Sequence, residues 1–160
     1  MFHLQIKINM SEMEPHYYDV DLNWTIGREG RIFSPVLTDS ISIATPPEFP
    51  NGIAGIWSPE HLFTAAVVSC YMTTFLAIAE NSKLAFSSFS CRSKGKLEKV
   101  DGKFMMTEIY LEPTLSVSHS EDREKALRIL NKAESACLIS HSIKSSVILH
   151  PSIIDSQHVS

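Results

Sequence analysis

Three cysteines, Cys70, Cys91 and Cys137, are the most reactive candidate groups in this chain. The thiolate is the nucleophile, so a cysteine does chemistry only where its surroundings favour the charged form. An odd number of widely spaced cysteines is not a disulfide framework, and free cysteines are most often buried and inert. Cys70 lies in the apolar stretch VVSCYMTTF, where burial alone would raise its pKa. To act as a nucleophile it needs a nearby cation. Between Lys7 and Lys83 the only lysines or arginines are Arg28 and Arg31. Within this part of the chain the cation therefore comes from the glycine-rich turn at Arg28, and Arg31 reads as a surface charge. A buried arginine in turn requires a carboxylate partner, and Glu60 is the natural candidate. Cys91, in SSFSCRSKG, has no motif around it and reads as structural. The seven histidines are scattered; His141 stands four residues after Cys137, and two ligands do not make a zinc site. Neither a metal nor a bound cofactor is expected.

These side chains must be positioned by elements that the hydrophobic pattern outlines. Phe2, Leu4, Ile6 and Ile8 alternate as in a short strand, and residues 9–16 read as a loop. Tyr18, Val20, Leu22, Trp24 and Ile26 alternate with polar residues, which predicts a half-buried strand. Gly27-Arg28-Glu29-Gly30 is a turn, and Ile32 to Leu37 and Ser40 to Thr45 read as two further strands. After the loop PPEFPNGIAGIWS, Ser58 suits an N-cap and Pro59 the first helical position. The helix predicted from there to about Asn81 is apolar on nearly all faces, which marks it as central and buried. Leu84 to Val117 reads as strands turning at Asp101-Gly102. Ser120 can cap a second helix with a stripe of Ala126, Leu127, Leu130, Ala133 and Ala136, ending near Cys137. Ser145 to Ile154 is a last strand, placed partly at an edge by Pro151. The fold class expected is α+β, with mostly antiparallel sheets around a central apolar helix.

Bulk composition narrows the function. The chain has 160 residues, 44% hydrophobic and 20% charged, with a net charge of −4 and its charges mixed. No basic block or stripe suggests nucleic acid or a membrane surface. The longest apolar stretch, Leu62 to Ala79, is broken by Thr64, Ser69, Thr73 and Thr74 and reads as a core helix instead of a membrane span. The opening MFHLQIKINM has no basic n-region or apolar h-region, so the expected compartment is the cytoplasm.

WTIGREGR, SPEHLFTAAVVSCYMTTF and SACLISHS, taken in order, resemble the OsmC/Ohr family of thiol peroxidases, and the resemblance runs from about Tyr17 to Ile154. The middle segment is the most specific: Ser-Pro-Glu-x-Leu-Phe, a helix of small residues, then Cys ten residues after Glu. One branch of the family has C-P-Y-S-N-A at the second cysteine, where this chain has Cys137-Leu138-Ile139-Ser140-His141. The resemblance implies a single domain over residues 17–160, with 1–16 as an N-terminal extension. It implies that Cys70 is the peroxidatic cysteine and Cys137 the resolving one, with Arg28 and Glu60 orienting thiolate and peroxide. It further implies an organic hydroperoxide as substrate and an external dithiol, typically on a lipoylated protein, as reductant. The apolar neighbours Phe63, Val67, Val68, Met72 and Phe75 would bury the tail of an alkyl or fatty-acid hydroperoxide.

Helix geometry adds an expectation about assembly. Ten residues at about 1.5 Å each put Glu60 and Cys70 roughly 15 Å apart along one helix, on sides about 80° apart. In a straight helix Glu60 cannot touch its own Cys70, but the two can meet if a second copy of the helix lies antiparallel across a two-fold axis, crossing near Ala65 and Ala66. An intertwined homodimer with two shared sites is therefore expected, each joining Cys70 and Cys137 of one chain to Glu60 and Arg28 of the other. Two rivals remain open. A hotdog-like thioesterase also wraps a sheet around a central helix but leaves Cys137 unexplained. A non-catalytic dimeric binding protein would hold its thiols inert.

Overall fold

The structure, a computed structural model, describes residues 14–155; the strand expected at Phe2 to Ile8 lies outside them. The chain divides into two compact units, the first ending at Ile56 and the second beginning at Trp57.

The first unit is an antiparallel meander of β1 (Asp21–Ile26), β2 (Glu29–Phe33) and β3 (Ser40–Ala44). The β1–β2 hairpin closes through Gly27 and Arg28. Gly27 has φ +54°, the left-handed angle that the first position of a tight hairpin loop demands and that glycine adopts without strain. The Trp24 indole Nε1 donates to Gly27 O at 3.1 Å, and Thr45 N donates to Arg28 O at 3.3 Å, so the turn is held from both sides. β2 stops at Phe33, short of the expected Leu37, because Ser34-Pro35-Val36-Leu37 forms a turn closed by Leu37 N to Ser34 O. The expected half-burial of β1 is not met: every residue of the strand is exposed in this chain, Trp24 at 72%. The alternation gives β1 an apolar face without supplying anything to cover it.

The second unit is built on α1 (Pro59–Asn81), the long hairpin of β4 (Phe86–Val100) and β5 (Lys103–Val117), a short 3-10 turn (Ser120–Asp122), α2 (Arg123–Ser135), α3 (Leu138–His141), β6 (Ser146–Leu149) and β7 (Ser152–Asp155). Helix α1 begins where the sequence predicts. Ser58 Oγ accepts from His61 N at 3.2 Å, and His61 Nδ1 accepts from Ser58 N at 3.3 Å, a reciprocal cap with histidine in the place usual for Glu or Gln. The β4–β5 turn has φ +51° at Asp101 and +79° at Gly102, the two left-handed angles that make Asp-Gly a hairpin signal.

Only one stripe of α1 is fully buried in this chain: Val67, Tyr71, Phe75 and Ala79, four residues apart and so in line along the helix. They pack with Ile109, Leu111, Leu115 and Val117 of β5 and with Ala126, Ile129, Leu130 and Ala133 of α2. Each large aliphatic or aromatic side chain so buried contributes about 1.5–3 kcal/mol. Phe75 stacks on Phe89 with ring centres 4.6 Å apart. α1 is thus central and apolar on nearly all faces, but within one chain it is fully buried along this stripe alone. Met72 and Leu76 are exposed, since a single hairpin and two helices reach only one side of it. By length and composition alone α1 could cross a membrane; here its buried stripe forms the core of the second unit. The α2 stripe is also shifted: Ile129 is buried, whereas Leu127 and Ala136 face out. Ser120 makes no side-chain cap, and a 3-10 turn precedes α2 instead.

Gly95 on β4 lets α1 come close, since a Cβ there would lie 2.3 Å from Thr64 Oγ1 and 2.5 Å from Met106 Cε. The last expected strand is two strands. β6 and β7 both pair with β5, and both run parallel to it, because α2 carries the chain back along the unit after β5. Pro151 separates them. On β5, Pro113 falls between the stretch that pairs β6 and the stretch that pairs β7, where its missing N–H leaves no ladder bond unmade on that side. The remaining pairings are antiparallel, so the α+β class with mostly antiparallel sheets around a central helix stands.

Candidate active site

Cys70 follows from the register of α1. Its neighbour Tyr71 belongs to the buried stripe, so Cys70 sits one residue, or about 100°, around the helix at the margin of the core. It is half-buried. Tyr71 also fixes the partner helix: its OH donates to Leu130 O of α2 at 3.2 Å. Burial pushes the Tyr71 phenol up, so it keeps the proton it donates. α2 then ends at Ser135, and Cys137 follows as the residue capping α3. α3 packs against α1, and the fully buried Cys137 thiol comes within hydrogen-bonding reach of Cys70. The two cysteines, 67 positions apart in sequence, are thereby brought together, both as free thiols.

Their environments push them in opposite directions. Desolvation opposes the Cys70 thiolate, but four donors outweigh it: the Ile139 amide, the Cys137 thiol, the Thr74 hydroxyl and the Leu138 amide. The net effect holds Cys70 below the ordinary thiol range. For Cys137, burial dominates and raises the pKa. The Ser140 hydroxyl and amide relieve this in part, and the neighbouring Cys70 raises it further. Ser140 Oγ makes no hydrogen bond of ordinary geometry, yet it lies close enough to the Cys137 sulfur to favour its thiolate. Cys70 ionises first while Cys137 remains a thiol that donates to it. Two coupled groups driven apart by their surroundings are the pattern of a nucleophile and its partner.

Cys91 is different. It lies half-buried on β4 opposite Pro113, and burial pushes its thiol up to about 11, with the Glu112 carboxylate adding to the rise. At neutral pH it stays protonated.

The two other expected site residues do not join the cysteines through the second unit. Glu60 occupies the first turn of α1, ten residues before Cys70, and Glu60 Oε2 is buried without a hydrogen-bond partner among the described residues. Such an oxygen is costly to leave unmatched. Arg28 belongs to the first unit, exposed on the β1–β2 turn. Trp57 meets His61 edge-on at 6.0 Å between ring centres, beside the start of α1. Val67 and Phe75, expected to face a substrate tail, are instead committed to the core; Val68 and Met72 retain exposure.

The sequence reading missed Thr74 and the amides of Leu138 and Ile139. Thr74 carries a weak signal, since residues four apart on a helix are neighbours. Backbone donors carry none except the absence of proline at 138. Among the described residues, no three His, Cys, Asp or Glu side chains are grouped to hold a metal ion.

Residues 52–151 match the family described as OsmC-like protein. YmaD of Bacillus subtilis, an uncharacterized protein, is 30% identical over 142 residues that cover 86% of this chain and 93% of YmaD. Among solved structures, an OsmC-like protein of unknown function from Vibrio cholerae superposes with a TM-score of 0.77 at 21% identity, covering 86% of this chain and 99% of that one. An organic hydroperoxide resistance protein OsmC from Legionella pneumophila gives a TM-score of 0.68 at 21% identity, covering 88% and 99%. With the matched segment spanning the capped helix α1, Cys70 and Cys137, this chain belongs to the OsmC-like family.

Proposed function

We propose that this protein is a thiol-dependent peroxidase that reduces organic hydroperoxides, with Cys70 as peroxidatic and Cys137 as resolving cysteine. The observation that carries the reading is the facing pair of free thiols, one favoured as thiolate and the other held as thiol. The Cys70 thiolate attacks the terminal oxygen of the hydroperoxide. The O–O bond breaks, the alkoxide takes up a proton and leaves as an alcohol, and Cys70 becomes a sulfenic acid. The Cys137 sulfur then attacks Cys70 Sγ, water leaves, and a disulfide forms between two thiols that already interact. An external dithiol, such as a lipoylated protein, returns two electrons by exchange. The cytoplasm suits a cycle that starts from reduced thiols. Peroxide chemistry also agrees with the name borne by the Legionella protein of the same fold.

The working unit in this reading is a homodimer. The apolar face of β1, with Leu22, Trp24 and Ile26, and the outer face of α1, with Met72 and Leu76, are exposed in one chain. Exposed apolar faces of this kind, each within its own unit, are characteristic of an interface. A second copy crossing α1 would supply Glu60 and Arg28 to the Cys70 of its partner. The test is to treat reduced protein with cumene hydroperoxide and map the products by mass. A Cys70–Cys137 disulfide with Cys91 still alkylatable is expected, and Cys137→Ser should accumulate a trappable sulfenic acid at Cys70. Thiols that all survive the peroxide, or a bond to Cys91, would refute the proposal.

A further inference from the structure

Thr74 stands one helical turn beyond Cys70 on α1. Side chains on a helix lean toward its N-terminus, so Thr74 reaches back over the cysteine. Its Oγ1 lies 4.0 Å from Cys70 Sγ. The other aliphatic hydroxyls of α1 are spent on backbone carbonyls. Thr64 Oγ1 donates to Glu60 O at 3.0 Å, Ser69 Oγ to Ala65 O at 2.6 Å, and Thr73 Oγ1 to Cys70 O at 3.0 Å. That back-bonding is the usual resting place of Ser and Thr inside a helix. Among the described residues, Thr74 Oγ1 makes no such bond; the sulfur is what it faces. A contact of this length between neutral groups is loose, and it tightens when the acceptor becomes an anion.

We propose that Thr74 is a further catalytic residue, whose hydroxyl donates a hydrogen bond to the Cys70 thiolate and so prepares the nucleophile. Together with the Leu138 and Ile139 amides, it gives the sulfur donors from its own chain, separate from any charge that Arg28 brings. Of these donors the hydroxyl alone can be removed by a side-chain substitution of the same shape, because valine replaces the oxygen with a methyl group.

The proposal rests on the peroxidase reading for its place in a reaction, but the contact can be tested without peroxide. The rate of Cys70 alkylation by iodoacetamide is measured against pH in the wild type, Thr74→Val and Thr74→Ser. Trypsin cleaves after Arg31, Lys83, Arg92, Lys132 and Lys144, so Cys70, Cys91 and Cys137 fall on separate peptides and are read individually by mass. Thr74→Val should move the Cys70 midpoint up by about one pH unit, leaving roughly tenfold less thiolate at neutral pH. Thr74→Ser, which keeps the oxygen, should restore the wild-type midpoint. A merely structural change would alter the rate at all pH values and leave the midpoint in place. An unmoved midpoint in Thr74→Val, or an equal shift in Thr74→Ser, overturns the proposal. A moved midpoint in a protein that consumes no cumene hydroperoxide supports the contact and overturns the peroxidase reading instead.

Discussion

Replacing Leu138 with proline isolates what one backbone donor contributes to Cys70. Leu138 is the first residue of α3, where proline is well tolerated because that N–H has no intrahelical partner. Cys137 before it is extended, at φ −68° and ψ 114°, near the range a residue preceding proline prefers. The Leu138 side chain is 69% exposed, so little packing is lost. What disappears is the N–H directed at Cys70 Sγ. A hydrogen bond to a charged group is worth about 1.5–3 kcal/mol. Solvent reaches a half-buried sulfur, which argues for the lower end, about 1.5 kcal/mol, close to one pH unit. The sign follows from the charge: a donor stabilises the thiolate, so its removal raises the Cys70 pKa. Alkylation and peroxide reduction should then slow about tenfold near neutral pH, where the deficit is thiolate population. Well above both pKa values the rates should converge, or the variant should slightly exceed the wild type, because a more basic thiolate is the better nucleophile. Below the Cys70 pKa stability should change little, since the unfolded-chain entropy that proline removes, worth about 0.4–1 kcal/mol, offsets the bond lost to a neutral sulfur. Leu138→Ala is the control that keeps the N–H. The assay is the pH profile of Cys70 alkylation beside a thermal melt of each variant. A proline variant with the same midpoint as the alanine variant, at unchanged stability, would refute the argument that this amide activates Cys70.

Two other predictions concern the assembly and the core. Joint refolding of inactive Cys70→Ser with inactive Glu60→Ala should restore one working site per mixed dimer, since one site would carry both lesions and the other neither; mixed dimers that stay inactive refute shared sites. Gly95→Val should lower unfolding free energy by about 1–3 kcal/mol through overpacking against Thr64 and Met106, and a urea titration indistinguishable from wild type would show that α1 does not need this close approach.

What could be read from the sequence was local. Ser58 and Pro59 place the start of α1 to the residue, and Asp101-Gly102 places the long hairpin, because caps and tight turns depend on a few adjacent side chains. Pairing partners are not local. Nothing within Ser145 to Ile154 says that its strands run parallel to β5 or that Pro151 cuts them in two. Alternation in β1 and the apolar surface of α1 announced faces to be covered, and burial was the natural expectation for both. In one chain much of each face is exposed, because periodicity identifies an apolar face but not what covers it. The cysteine pair was legible only through the family pattern; the donors around Cys70 were not legible, since an amide is present at every residue but proline.

The break between α2 and α3 links the fold to its chemistry. If α2 ran on without interruption, the amides of Leu138 and Ile139 would bond to the carbonyls of Glu134 and Ser135, four residues back. Instead the helix tightens at its end, with Cys137 N donating to Glu134 O at 3.1 Å, and Cys137 itself turns extended. One change of backbone direction then has two effects. It sets the second sulfur beside the first, and it frees two amides to face Cys70 at a point where α3 packs on α1. Tyr71 holds this arrangement in register, because its hydroxyl ties α1 to α2 one residue from Cys70 and seven residues before the break. Cys137 therefore influences the reactivity of Cys70 while both are free thiols. Its thiol and the amides that follow it favour the Cys70 thiolate, while its own burial raises its pKa.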